Sequence, residues 1–531
     1  MAEQRRKFWG WGLEDERPSE AELDFIAGHY HRQFDLRERP AFEAPREDEF
    51  TLTAPRIEAP AALAAICRND PYERLLHTYG KSFPDTLRMF WRRADNPPDL
   101  VAYPRTEDDI AAVMDWAAGA RVAVIPFGGG SSVVGGVEPA VNGDFAASLS
   151  LDLQHFDRVL ELDRTSRAAL IQGGMRGPAL EAALRPDGLT LRHFPQSFEH
   201  STLGGWIATR SGGHYASLYT HIDDLVAQVR MLTPAGVVES RRLPGSGAGP
   251  SPDRFMIGSE GAFGVITQAW MRLQDRPTFK DSVSVRFREL DAAVNTVRAL
   301  SQAWLFPTNC RLLDANEAAI NGADDGSHHV LVLGFESADH PIEAWMARAL
   351  ELVRDHGGDW QPPGEAPGHL AGAAGIWRNA FIRMPYLREV TVGWGIINDT
   401  FETAITWDRF PAFNEAVMTA TRRALREATG NDGLVSMRFT HVYPDGPAPY
   451  YSFHVPGDPT RLLEQWQQIK AAASDAVIAQ GGTITHHHAV GRDHMPWYRE
   501  QRPDLFAALL GDAKARLDPA GIMNPGVVAG A

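Results

Sequence analysis

The sequence predicts an α+β protein made of two successive α+β units, and three observations carry that prediction. From about residue 94, short apolar runs rich in β-branched residues alternate with stretches of helical pattern. Three glycine- and small-residue-rich stretches then fall inside one unit: Val122–Gly136 (VAVIPFGGGSSVVGG), His200–Gly213 (HSTLGGWIATRSGG) and Met256–Thr267 (MIGSEGAFGVIT). After residue 276 the texture changes to longer strand-like runs and helices.

Taken in order, residues 1–93 read as an N-terminal arm and helical region. The arm is polar, with an aromatic knot at Phe8, Trp9 and Trp11 expected to pack on the body, and 61–93 looks helical. Residues 94–276 form the first unit. DLVAYP reads as strand and turn. TEDDIAAVMDWAAGA reads as a helix capped by Thr106, with Glu107, Asp108 and Asp109 at the positive end of its dipole. The apolar run Val122–Pro126 reads as a buried strand that breaks into Gly128–Gly130, Ser131 and Ser132. Glycine lets backbone approach a ligand, and successive N–H groups in such a turn make an anion-binding concavity; an ordinary tight turn is the alternative. The loop lacks the Gly-Lys-Ser/Thr of a Walker motif and the GxGxxG spacing. AASLSLDL, VLELD and AALIQ read as strands and PALEAAL as a helix. In 277–480, VSVRF and HVLVLGF read as strands, and Arg288–Leu305, Ile342–His356 and Phe413–Thr429 as helices. Residues 481–531 hold a histidine run and a helical tail.

Composition excludes several classes. With 52 basic and 68 acidic residues the net charge is −16, which argues against general nucleic-acid binding. Two cysteines, Cys67 and Cys310, cannot form a disulfide framework or a cysteine-ligated cluster. No stretch approaches the ~18 apolar residues of a membrane span, and the N-terminus lacks the apolar core of a secretory signal. A cytoplasmic setting is expected, with peripheral membrane contact and a homodimer left open.

Chemistry-bearing residues gather in the second half. His486, His487 and His488 follow the strand-like GGTIT; on a strand His486 and His488 share a face and His487 points the other way. Three readings stay open: a metal site, an acid/base cluster and a polar surface run. HExxH spacing is absent, and no metal is expected. Tyr443, Tyr450 and Tyr451 lie in HVYPDGPAPYYSFH, as packing aromatics or as an acid/base whose pKa nearby cations must lower. Arg311 and Arg383 are candidate anion clamps or surface salt bridges. His193 sits just before the second glycine stretch.

Together these segments resemble the alkyldihydroxyacetonephosphate synthases, members of the flavoprotein superfamily that includes vanillyl-alcohol oxidase. PFGGGSS, SFEHSTLGGWIATRSGG and GSEGAFGVIT resemble that superfamily's FAD segments. NCRLLDANE, NAFIRMPYL, FETAITWDR, the tyrosine segment and the triple histidine resemble the synthases themselves. The resemblance implies a PCMH-type (vanillyl-alcohol oxidase-like) FAD-binding domain with an α+β cap domain, and FAD as cofactor. Carried over position by position, FAD would be bound by Pro126, Phe127, Gly128, Gly129, Gly130, Ser131 and Ser132. The second segment supplies Gln196, Ser197, Phe198, Glu199, His200, Ser201 and Thr202, followed by Thr209, Arg210, Ser211 and Gly212. The third supplies Glu260, Gly261, Ala262, Phe263, Gly264, Val265 and Ile266. Tyr450 matches the family's acid/base tyrosine and Arg383 its substrate-binding arginine. Arg311, His193, His486, His487 and His488 match further residues needed for activity. The implied reaction exchanges the acyl chain of acyl-dihydroxyacetone phosphate for a fatty alcohol through a flavin N5 adduct, a step of ether-lipid synthesis.

The sequence departs from the family where Gln196-Ser197 stands for Asp-Ser, and in its ending VVAGA, which is no peroxisomal address. Its Ala/Arg/Gly-rich composition and short N-terminus suggest a bacterial relative. The rival reading keeps fold and FAD but makes the chain an oxidase or dehydrogenase of a phenol or a 2-hydroxy acid. A non-enzymatic flavin- or lipid-binding protein is the third, disfavoured by the polar acid/base cluster.

Overall fold

The computed structural model describes residues 5–34, 42–141, 143–360 and 386–529. Arg383 lies outside them. Two sheets carry the first unit. A four-stranded sheet runs Cys67–Arg68, Leu100–Ala102, Ala147–Asp152, Val122–Phe127, the last three strands parallel. A five-stranded antiparallel sheet runs Val159–Asp163, Ala168–Gln172, Val265–Arg272, Val226–Thr233, Gly236–Glu239. The helix Glu107–Ala120 starts as expected: Thr106 Oγ1 accepts from the Asp109 amide at 3.1 Å, and Asp109 accepts from the Thr106 amide at 3.0 Å. Its Ile110, Val113, Met114 and Ala117 pack against Val122, Val124 and Leu149.

The second unit is one seven-stranded antiparallel sheet. Its order is Asp359–Trp360, Phe279–Phe287, His329–Ser337, Asn309–Leu313, Leu434–Val442, Pro447–Pro456, Ile396–Glu402. The helices Leu290–Gln302, Glu343–Asp355, Phe410–Thr429 and Leu462–Ala479 supply its core partners, such as Val297, Val353, Phe413 and Ile469.

Two expectations change. The 61–93 region is two short helices, Pro71–Leu76 and Phe83–Phe90, because Pro71 and Pro84 each fit only a helix's first turn and so restart it. GGTIT is not a strand: residues 481–488 are turns and bends.

The ends of the chain close on the body. Phe8, Trp9 and Trp11 are buried, and Lys7 pairs with Glu389 at 2.8 Å, out of water. The C-terminal tail borders the glycine-loop strand, with Val124 donating to Ile522 O and Asn524 donating to Val124 O. Among the described residues no helix is long and apolar enough to cross a membrane.

Candidate active site

The cap sheet places its functional side chains by register. Tyr450, on the Pro447–Pro456 strand, stands opposite Glu402 on one side and Arg438 on the other. Side chains alternate along a strand, so these three share one face, and Tyr451, Phe401 and Met437 occupy the other. Tyr451 is fully buried, stacks on Phe401 at 4.9 Å and donates to Asn414 Oδ1 at 2.9 Å. Tyr450 lines a cavity of about 570 Å³ that runs to the glycine loops. Its hydroxyl donates to Thr400 Oγ1 at 3.0 Å, and the Arg438 guanidinium lies 3.8 Å from its ring centre. Burial pushes the Tyr450 phenol up, while Arg438 and the Thr400 hydroxyl pull it back. Arg438 is itself buried and pairs with the buried Glu317.

The histidine run enters this face as a loop. One carboxylate, Glu402, accepts the backbone N–H of His486 (2.6 Å), His487 (3.1 Å) and His488 (3.0 Å), together with the Thr485 hydroxyl (2.6 Å). Burial opposes its ionisation, but His487, with its ring 3.3 Å away, and the neighbouring histidines hold it well below the usual carboxylate range. The rings turn inward. His487 stacks against Tyr450 with centroids 6.1 Å apart, and His488 meets it edge-on at 5.5 Å. His486 shares hydrogen bonds with His487 Nδ1 (3.0 Å), the Tyr443 hydroxyl (2.7 Å) and His221 Nε2 (3.0 Å). Burial, then neighbouring histidines, hold His441 and His486 well below the usual imidazole value; burial takes His488 down to about 3. A polar surface run is therefore excluded, and so is the alternating arrangement expected of a strand. His441, His486 and His487 also bring one ring nitrogen each within 4.8 Å of one another, a spacing that suits a metal, although no metal was expected from the sequence.

The remaining expected residues fall in two groups. Arg311 lines the cavity, is 1% exposed and donates to His214 O at 3.1 Å, so it is no surface salt bridge. Burial and the nearby Arg438 lower its guanidinium to about 9. His193 is buried but is not a lining residue; it shares a 3.3 Å hydrogen bond with Ser211, which is. Burial takes it down to about 3.

Of the expected cofactor residues, Gly128, Gly129, Gly130, Ser131, Ser132, Gln196, Ser197, Ser201, Thr202, Thr209, Ser211 and Gly212 line the cavity. The others do not. Pro126 meets Gly261, and Phe127 packs on His77. Phe198 stacks on Trp206, Glu199 and His200 bond the Tyr386 hydroxyl, and Arg210 pairs with Asp223. Glu260 accepts from the amides of Val490 and Gly491 at 2.8 and 2.7 Å, and burial raises it to about 7. Gly261, Ala262, Phe263, Gly264, Val265 and Ile266 continue from it into the five-stranded sheet and its core.

The lining suits a long ligand with a phosphate-bearing end. Backbone meets backbone so closely that a Cβ on Gly129 would lie 1.9 Å from His200 O, and one on Gly128 would lie 2.3 Å from Thr202 Oγ1. Bare amides and the hydroxyls of Ser131, Ser132, Ser197, Ser201, Thr202 and Thr209 thus share the cavity lining with Tyr450 and the arginines. That donor set fits FAD, whose pyrophosphate the bare amides and hydroxyls would hold.

Sequence reasoning missed Glu402, Arg438, His441, His221 and Arg388. Glu402 is the second residue of the FETAITWDR segment, and its role depends on the register of two strands, with 47 residues between it and Tyr450. Arg388 lines the cavity and lies 3.4 Å from Asp399.

The fold and this lining define an FAD-dependent enzyme, and comparison with known proteins agrees. The family model of the FAD binding domain matches residues 98–240, and that of FAD linked oxidases, C-terminal domain, matches 276–528. The chain is a flavoprotein of that two-part type. More narrowly, it is a homologue of the alkyldihydroxyacetonephosphate synthases. It is 28% identical over 485 residues to the enzyme of that name from Dictyostelium discoideum, covering 86% of this chain and 77% of the relative. A solved alkyldihydroxyacetonephosphate synthase superposes with a TM-score of 0.80 at 24% identity, over 98% of this chain and 99% of the other. The 4-ethylphenol oxidase from Gulosibacter chungangensis shares the fold at a TM-score of 0.69 and 17% identity, over 88% of this chain and 94% of the other.

Proposed function

We propose that the protein is an FAD-dependent alkyldihydroxyacetonephosphate synthase. It would exchange the acyl chain of acyl-dihydroxyacetone phosphate for a fatty alcohol, giving an ether-linked product and a free fatty acid. The observation that carries this reading is the sheet register, which sets Tyr450 between Glu402 and Arg438 with the histidine rings around it.

Tyr450 takes the proton from the substrate carbon beside the ketone. It needs help to do so, because burial favours the neutral phenol; Arg438 below the ring favours the phenolate. The fatty acid leaves as its carboxylate, breaking the bond between that carbon and the ester oxygen. The alcohol oxygen takes its place, the proton held by Tyr450 returns to the same carbon, and the alcohol's own proton passes through the tyrosine–histidine cluster to water. Oxidised FAD supplies the electron sink that makes such a carbon accept a new bond. Arg311 and Arg388 offer cations to the phosphate and carboxylate ends, with Arg383 as a further partner. The glycine and hydroxyl-bearing segments hold the cofactor.

A fatty-acyl substrate resides in bilayers, so peripheral membrane contact belongs to the proposal and is checked by co-sedimentation with vesicles. A homodimer is checked by light scattering. The main test is turnover of the purified holoprotein with acyl-dihydroxyacetone phosphate and a fatty alcohol, against anaerobic mixing with phenols and 2-hydroxy acids. Ether product with the flavin oxidised before and after is expected. Lasting bleaching by a phenol or hydroxy acid, without ether formation, establishes the oxidase reading instead.

A further inference from the structure

We propose that Glu402 is a positioning residue. It fixes the histidine loop against the tyrosine strand through backbone hydrogen bonds and does not itself touch the substrate. The role rests on the site being the catalytic one, as proposed above.

Four observations converge on it. Residues 483–491 belong to no strand or helix, so their amides need acceptors from elsewhere. Beyond Thr483, whose amide reaches Ala404 O, the acceptors found are side chains: Gln501 takes the amide of Ile484, Glu402 those of His486, His487 and His488, and Glu260 those of Val490 and Gly491. Three successive N–H groups on one carboxylate form an anion nest turned inside out, with the protein supplying its own anion. Second, Glu402 is 2% exposed and is not among the cavity-lining residues, so it stands behind the histidines rather than beside the ligand. Third, it stands directly opposite Tyr450 in the sheet, so whatever it grips is held in register with the tyrosine ring. Fourth, the gripped residues carry the rings that surround Tyr450 and reach Tyr443 and His221. A carboxylate is required because charge-assisted bonds are shorter and stronger than neutral ones, and because an amide would turn an N–H₂ toward donors. Aspartate, shorter by one methylene, would not reach from the strand to the loop.

The test compares wild type, Glu402→Gln and Glu402→Ala as FAD-loaded proteins, by hydrogen exchange across 484–490 and by steady-state kinetics. Exchange at His486–His488 is expected to speed at least about tenfold in Glu402→Ala and less in Glu402→Gln, which keeps one acceptor oxygen. Flavin content should hold. The kcat should fall by about 100-fold in the alanine variant, with partial rescue by glutamine and KM within about threefold, the pattern of misplaced catalytic groups. Unchanged exchange, a rise in KM alone, or equal kcat in all three proteins overturns the proposal. If the alanine variant does not fold, Thr485→Val removes one donor from the same carboxylate and should move kcat, and exchange at His486 and His487, the same way by less (His488 is left out because Thr485 Oγ1 also accepts its amide); no movement overturns the proposal. Hydrogen exchange does not depend on which reaction the enzyme runs. Absent synthase turnover with the expected exchange pattern would therefore sink the proposed function and leave the positioning role standing.

Discussion

Replacing Tyr450 with phenylalanine removes one oxygen and nothing else. The ring is 5% exposed and packed between Arg438 and the His487 and His488 rings, and phenylalanine keeps those contacts. The structural loss is the 3.0 Å hydrogen bond to Thr400, about 1 kcal/mol. Loss of a general base costs turnover at least ~100-fold, or about 2.7 kcal/mol of barrier. The neighbouring Tyr451→Phe variant separates the two effects. It breaks a 2.9 Å bond to the half-buried Asn414, costing about 1 kcal/mol of stability. It points away from the cavity, so turnover should stay within about twofold. The assay is flavin content, thermal melting and steady-state turnover of both variants. An active Tyr450→Phe enzyme, or one as impaired as Tyr451→Phe, would refute the assignment of the base.

Other outcomes follow from single contacts. Gly129→Val should abolish stable FAD binding, because its Cβ would strike His200 O at 1.9 Å and force the first two loops apart; a tightly loaded flavin in that variant contradicts it. Arg438→Met should destabilise the cap by about 3–5 kcal/mol by leaving Glu317 buried and unpaired, and Arg438→Met with Glu317→Gln should recover most of the melting temperature. Glu260 has a folded-state pKa raised by burial from 4.5 to about 7, so its contribution is fully present below pH 4.5 and is lost as pH rises through about 7. Asp314 and Asp493, also raised to about 7, act the same way, so Glu260→Gln should flatten part of the fall in melting temperature between those pH values; an unchanged profile contradicts it. Thr106→Ala should cost about 1 kcal/mol through loss of the helix cap, read by chemical denaturation.

Much of this was readable in the sequence, for local reasons. Thr106 and the acidic residues after it announce a helix start, and the structure forms the capping box there. Tyr450 and Tyr451 are adjacent on a strand, so their opposite fates follow from period-two alternation alone. What could not be read is whatever register or a long-range hydrogen bond decides. Glu402 and Arg438 flank Tyr450 only because of strand register: Arg438 lies across the hairpin Leu434–Pro456, and Glu402 comes from the separate strand Ile396–Glu402. The histidine run misled for a related reason. Threonine and isoleucine in GGTIT favour a strand, but its amides go to scattered acceptors, Ile478 O, Val477 O, Ala404 O and Gln501 Oε1, while one buried carboxylate takes those of the histidines that follow. The third glycine segment matched a cofactor motif, while in the structure Glu260 turns its carboxylate to Val490 and Gly491.

The central claim is that the ester's acyl group leaves with its oxygen and that an alcohol oxygen replaces it at a carbon activated by Tyr450. The most direct measurement supplies ¹⁸O-labelled fatty alcohol with acyl-dihydroxyacetone phosphate to the holoprotein and weighs both products by mass spectrometry. The account predicts label in the ether product, none in the released fatty acid, and no label transfer with Tyr450→Phe. Label in the fatty acid, or a fatty acid released with no ether formed, would contradict it.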